Sequence, residues 1–107
     1  MCIFQPHQYS RTLELLNEFK TAFVEADLVV IPNIYEARDT EEDKAKMNVA
    51  KLVESIHHPH VQDGRSLEET TKWLKENSHP GDLVLTMGAG DVYKVGEELL
   101  KILNNES

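Results

Sequence analysis

A single cysteine, Cys2, excludes an internal disulfide and suits a reducing compartment. Cations are also scarce. Eleven Lys and Arg stand against 19 Asp and Glu, leaving a net charge of −8 with the histidines neutral. That balance excludes general nucleic-acid binding, whose affinity comes from basic side chains neutralising phosphates. No apolar run approaches the ~20 residues of a membrane span, so no membrane partner is expected. The opening Met1-Cys2-Ile3-Phe4-Gln5-Pro6 lacks the basic and apolar segments of a signal peptide, which points to the cytoplasm. Internal repeats, linkers and low-complexity stretches are absent. What remains is ordinary globular material, 40% hydrophobic and 28% charged, too apolar for a disordered acidic tail. Its 107 residues fit one domain, residues 1–107.

Short apolar runs alternate with stretches of helical spacing. Cys2-Ile3-Phe4 is the first run, and Leu16, Phe19, Phe23 and Ala26 follow on one helix face. Leu28-Val29-Val30-Ile31 is the clearest strand, unalternating as in a parallel sheet covered on both faces, and Pro32-Asn33 stops it. A second helix opens at Asp39 or Thr40, with Glu41, Glu42 and Asp43 in its dipole-complementing first turn. It buries Val49, Leu52, Val53 and Ile56 and ends at His57-His58-Pro59. A weak strand near Val61 precedes a capping box in which Ser66 is the cap and Glu69 reaches back. Leu67, Leu74 and Trp73 supply the buried side of that helix. Leu83-Val84-Leu85-Thr86 is the last strand, and the final helix buries Val92, Val95, Leu99 and Leu103. Gly96, on the same face, suggests close packing against the sheet. The alternation predicts an α/β fold: an open, mostly parallel sheet of about four strands flanked by helices in three layers. The chain starts almost on its first strand and reads as a piece of a longer protein. A missing edge strand would leave unpaired backbone that invites self-association.

Ligands bind outside the carboxyl ends of strands in such sheets, and two turns there stand out. In the first, Pro6 directs His7 out of the sheet, Ser10 reads as a helix cap, and exposed amides with Arg11 would receive an anion. Arg11 suits a carboxylate gripped through two parallel hydrogen bonds. The alternative is a solvated Arg11 and a satisfied loop histidine. In the second, Thr86-Met87-Gly88-Ala89-Gly90-Asp91, glycines allow close backbone approach and consecutive amides can hold an anion. The alternative is a tight turn capped by Asp91. Tyr93 stands where a dinucleotide fingerprint needs its third glycine, and no Gly-Lys-Ser/Thr of a P-loop follows. His57-His58-Pro59-His60 reads as a solvated helix end, because proline breaks any ligand spacing, and no metal site is expected. The acidic run from Glu36 to Asp43 lacks the calcium-loop pattern. Cys2, on a buried strand without a basic neighbour, is not read as a nucleophile.

Three motifs carry a resemblance. Phe4-Gln5-Pro6-His7-x-Tyr9-Ser10-Arg11-Thr12 resembles the Phe-Gln-Pro-His-x-Tyr-Ser/Thr-Arg signature of the UDP-N-acetylmuramate–L-alanine ligase family. These are Mur ligases of the bacterial cytoplasm that make peptidoglycan precursors. The segments from Ala26 to Arg38 and from Leu85 to Gly96 agree in order and distance. The related family that attaches a whole murein tripeptide lacks the Gln-Pro-His element.

The resemblance implies the C-terminal, Rossmann-like domain of a three-domain ATP-dependent ligase. It also implies that the first strand and helix of that domain are absent, along with its Asp-Asp-Tyr-Gly-His-His-Pro segment. In the implied reaction ATP, with Mg2+, converts the carboxylate of UDP-N-acetylmuramic acid to an acyl phosphate, which the amine of L-alanine attacks. The two missing domains would hold the nucleotide sugar, the P-loop and the Mg2+ ligands, so the fragment carries no catalytic residue and is expected to be inactive alone. The implied substrate-binding residues are His7, Gln8, Ser10, Arg11, Gly88, Ala89, Gly90 and Asp91. Family members often have arginine where Gln8 stands, and Gln8 donates a hydrogen bond without bringing charge. A stand-alone, non-catalytic module for a small anion or nucleotide is the alternative, and a protein-interaction piece using the acidic face is a third reading.

Overall fold

In the computed structural model, residues 1–19, 21–36, 39–88 and 90–106 are described. The run Val29–Ile31 forms β2, flanked by β1 (Cys2–Phe4) and β3 (Val61–Asp63), with β4 (Leu85–Met87) on the far side of β1. All three pairings are parallel, giving the order β3-β2-β1-β4. Side chains alternate between faces along each strand. Cys2, Val29 and Ile31 therefore enter one core, and Ile3 and Val30 enter the other.

Helices α1 (Tyr9–Glu14), α2 (Leu16–Phe19) and α4 (Val49–Ser55) serve the first core through Tyr9, Leu16, Phe19 and Leu52, with Met47 and Ile56 beside them, while α3 (Glu41–Lys46) packs against α1 and buries no residue. Helices α5 (Leu67–Asn77) and α6 (Tyr93–Glu106) serve the second through Leu74, Val95 and Leu99. The result is the expected three-layer α/β sheet. Among the described residues, no helix is long and apolar enough to cross a membrane. The open edge of the sheet that lacks cover is β4, where Leu83, Leu85 and Met87 are exposed beside Cys2 and Phe4.

Three local expectations are corrected. The first helix does not run from Leu16 to Ala26. It forms as α1 and α2, and the chain then turns, with Phe23 reaching the core from outside any helix. The Thr12 hydroxyl donates to the Gln8 carbonyl at 2.6 Å, a back-bond that bends helices, and low-propensity Thr21, Phe23 and Val24 do not extend them. The second helix splits at Asn48, whose side chain accepts from the Lys51 N–H at 2.8 Å and so starts α4 afresh. This swings Met47, extended, into the core. The Thr40 cap forms in full, with a reciprocal bond from Asp43. At Ser66 only the hydroxyl half of the box forms, because the Ser66 N–H already donates to the Gly64 carbonyl.

Gly96 is the third correction. A Cβ there would lie 4.0 Å from Thr86 Cγ2, an ordinary contact, so close packing does not require the glycine. Gly96→Ala should therefore stabilise the chain by about 0.5–1 kcal/mol through helix propensity, read as a higher urea midpoint at unchanged slope.

Candidate functional site

Gln5 follows β1 directly and is buried to 1% exposure, although it is polar. A buried amide needs its hydrogen bonds, and all are made. Its Nε2 donates to Asn33 Oδ1 at 3.0 Å and to Asp91 Oδ1 at 2.7 Å, and its Oε1 accepts from the Val92 N–H at 3.2 Å. One side chain thus ties together the turns that follow β1, β2 and β4.

The backbone repeats the connection. The Gln5 N–H donates to the Met87 carbonyl at 2.8 Å, and Gly88 comes so close that an added Cβ would sit 2.7 Å from the Gln5 carbonyl oxygen. Gly88 also has φ +156, so both its conformation and its neighbour select glycine. Beyond β1 and β2 the strands touch once more, as His7 and Tyr35 form an isolated parallel bridge.

Beside α1 lies an open cavity of about 280 Å³, bounded by Phe4, Gln5, Pro6, His7, Arg11, Thr12, Leu15, Phe19 and Gly88. Its lining combines the polar Gln5, His7, Arg11 and Thr12 with the apolar Phe4, Leu15 and Phe19. Arg11 is exposed and meets Glu14 at 3.5 Å, a solvated pair that costs little to break. Its guanidinium is therefore available to a ligand. His7 is exposed, and its imidazole stacks on the Tyr35 ring with centroids 5.6 Å apart and planes 18° from parallel.

Of the eight residues expected to bind substrate, the structure brings His7, Arg11 and Gly88 to this cavity. Gln8 turns the chain with φ +67, donates its N–H to the Tyr35 carbonyl at 2.7 Å, and accepts from Thr12. Ser10 is not the cap of α1, which starts at Tyr9. The helix is closed instead by Asp39, whose carboxylate accepts from the Tyr9 N–H at 3.0 Å and the Ser10 N–H at 3.2 Å. The amides expected to receive an anion are thus occupied by an internal one. Asp91 uses its carboxylate on Gln5 and borders a separate groove between α5 and α6, while Gly90 packs against the Tyr35 ring. Ala89 lies outside the described residues, as do Ala37 and Arg38 of the second motif.

Sequence reasoning missed Gln5, Asn33, Tyr35 and Asp39 as site-forming residues. Gln5 left one signal, an uncharged polar residue ending an apolar strand; its pairing with Asn33, 28 positions on, and the pairing of Tyr9 with Asp39, 30 positions on, left none.

Elsewhere, His58 sets Nε2 at 2.6 Å from the Ala26 carbonyl and receives the His60 N–H on Nδ1. Both ring nitrogens of the central histidine in that cluster are engaged. Burial pushes the Cys2 thiol up, partly opposed by the chain's amino terminus, and its Sγ lies 3.4 Å from Met87 Sδ. That environment favours an inert thiol. The Glu36 and then the Glu41 carboxylate, at 2.9 and 3.1 Å, hold the Lys44 ammonium above the ordinary lysine range. Through Glu36, Lys44 ties the segment after Tyr35 to α3. Among the described residues, no group of three or more His, Cys, Asp or Glu side chains is arranged to hold a metal ion.

An open parallel sheet with a cavity at the carboxyl ends of β1 and β4 is the arrangement of Rossmann-like ligand-binding domains. Comparison with known proteins is more specific. Over 102 residues, 92% of its length, the chain is 49% identical to a UDP-N-acetylmuramate–L-alanine ligase of Acetivibrio thermocellus. Over 101 residues it is 48% identical to the enzyme of that name from Lachnospira eligens and 42% identical to that from Clostridium acetobutylicum. The resemblance read from the three motifs therefore extends over nearly the whole chain. The chain spans only about a fifth of the length of these curated relatives. No family model matches it.

The Gln5 connection yields a sharp test. Gln5→Glu sets a second carboxylate against Asp91 and should destabilise the chain by about 2–4 kcal/mol at pH 7. The folded state of that variant favours the protonated acid, so the deficit should shrink as pH falls toward the carboxylate range and grow above it. Urea unfolding at pH 7 and pH 5 reads both the size and the sign.

Proposed function

We propose that this chain is the C-terminal domain of an ATP-dependent ligase that joins L-alanine to UDP-N-acetylmuramic acid in peptidoglycan precursor synthesis. The observation that carries the reading is the meeting of His7, Arg11 and Gly88 around one small cavity, in a chain 49% identical to part of a ligase of that name. In this role the guanidinium of Arg11 and the imidazole of His7 donate to the carboxylate of the incoming L-alanine. Phe4, Leu15 and Phe19 supply an apolar wall for its methyl group. Held at its carboxylate, the amino acid keeps its amine free to attack the acyl phosphate formed from the muramic acid carboxylate and ATP. Phosphate then leaves.

The magnesium that such phosphoryl chemistry uses finds no donor set among the described residues, and the sequence has no P-loop. Both belong to the remaining four-fifths of the ligase in this reading. The domain presents one substrate and is inactive by itself, and domain closure completes the site. Such an enzyme works in the bacterial cytoplasm.

The test is the alanine dependence of ligation. In the full-length ligase, Arg11→Ala should raise the alanine KM by about tenfold or more, the cost of one charge-assisted grip, while the ATP KM stays within twofold. An unchanged alanine KM would remove Arg11 from the site. Ligation by this chain alone would refute its role as a non-catalytic domain.

A further inference from the structure

We infer that Tyr35 is a positioning residue that fixes the imidazole plane of His7 at the mouth of the cavity; its use in holding an amino acid rests on the function proposed above. Tyr35 comes from the turn after β2, a part of the chain with no side chain lining that cavity. Its backbone is clamped to the turn after β1 from both sides. The Tyr35 N–H donates to the Pro6 carbonyl at 2.8 Å, and the Gln8 N–H donates to the Tyr35 carbonyl at 2.7 Å. The residue between those two anchors is His7.

In a parallel bridge, paired residues project on the same side of the sheet, and here the two rings stack nearly parallel at 5.6 Å. The phenol ring is backed by Gly90, where any added Cβ would collide with it. Tyr35 is therefore held between the turn after β1 and the turn after β4 and has little room to swing away. His7, by contrast, is exposed, and among the described residues the stack is its one ring contact, with no hydrogen bond or ion pair holding its imidazole. An unrestrained surface histidine samples several rotamers, and a ligand must then select one. A stacked ring is already in plane with its nitrogens at the edge, which lowers the ordering cost of binding. The phenol hydroxyl has no part in this: the face of the ring does the positioning.

The experiment uses this chain, with L-alanine as the probe, followed by NMR. In the wild type, nuclear Overhauser contacts should join the His7 and Tyr35 ring protons, and the His7 ring protons should be displaced by the neighbouring ring current. Tyr35→Phe should retain both signatures and bind L-alanine within twofold of wild type. Tyr35→Leu should lose the ring-current displacement and weaken L-alanine binding by about threefold to tenfold.

Absence of the inter-ring contacts in the wild type overturns the proposal. So does an alanine affinity unchanged by Tyr35→Leu, or a loss in Tyr35→Phe equal to that in Tyr35→Leu. Should Tyr35→Leu fail to fold, the wild-type contacts and the Tyr35→Phe variant decide the matter. If the wild type shows the contacts but L-alanine binds neither this chain nor the full-length ligase, the alanine reading fails, while the control of His7 by Tyr35 is upheld by the spectra.

Discussion

The buried amide of Gln5 is the constraint on which the candidate site depends. Three turns leave the sheet at its carboxyl end, and nothing in strand pairing alone obliges them to converge beyond the last ladder bond. Gln5 supplies the missing connection, because its two N–H groups and its carbonyl reach Asn33, Asp91 and the Val92 amide at once. In a buried setting such a network is worth most when complete, since each unmade bond leaves a desolvated polar group. The same requirement makes it specific: few other side chains of that length combine two donors with an acceptor.

From that anchor the chemistry of the cavity follows. With Gln5 holding the turn after β4 against β1, Gly88 closes one wall, and Pro6 carries the chain out toward His7 and α1. Asp39 has already taken the first amides of α1, so the cavity cannot hold an anion through the helix end. Positive charge must come from side chains, and among the described residues Arg11, paired only loosely with Glu14 in solvent, is the Lys or Arg bordering it. Asp39 also fixes where α1 begins, and α1 sets the position of Arg11. The binding groups thus lie in turns and a first helical turn, while the supporting bonds come from residues far away in sequence.

The site was only partly legible in the sequence. The motif at Phe4–Thr12 named His7 and Arg11 because Pro6 directs the chain out at a strand's carboxyl end and puts both residues in the turn that follows. The glycine turn was legible because Gly88 does need its conformation. Ser10 was read as a helix cap and Asp91 as a binding residue or, alternatively, a turn cap, and both meet more distant partners, Asp39 and Gln5. Gly96 was read as a packing requirement that the spacing above Thr86 does not impose. In each case a local rule met a longer-range hydrogen bond or a geometric margin that no window of neighbouring residues contains.

The sequence by itself determined the strand–helix alternation and its two-sided burial, though not where the first two helices begin and break. Apolar runs such as Val29–Ile31, helix stripes such as Leu67, Leu74 and Trp73, and stops at Pro32 and Pro59 act within a few residues, so they can be read from neighbours alone. The strand order β3-β2-β1-β4, the division of the core between Val29 and Val30, and the meeting of Gln5 with Asp91 and of His7 with Tyr35 were decided only by tertiary structure. Those contacts join groups many positions apart, and their energy exists only once the sheet has brought the ends of its strands together.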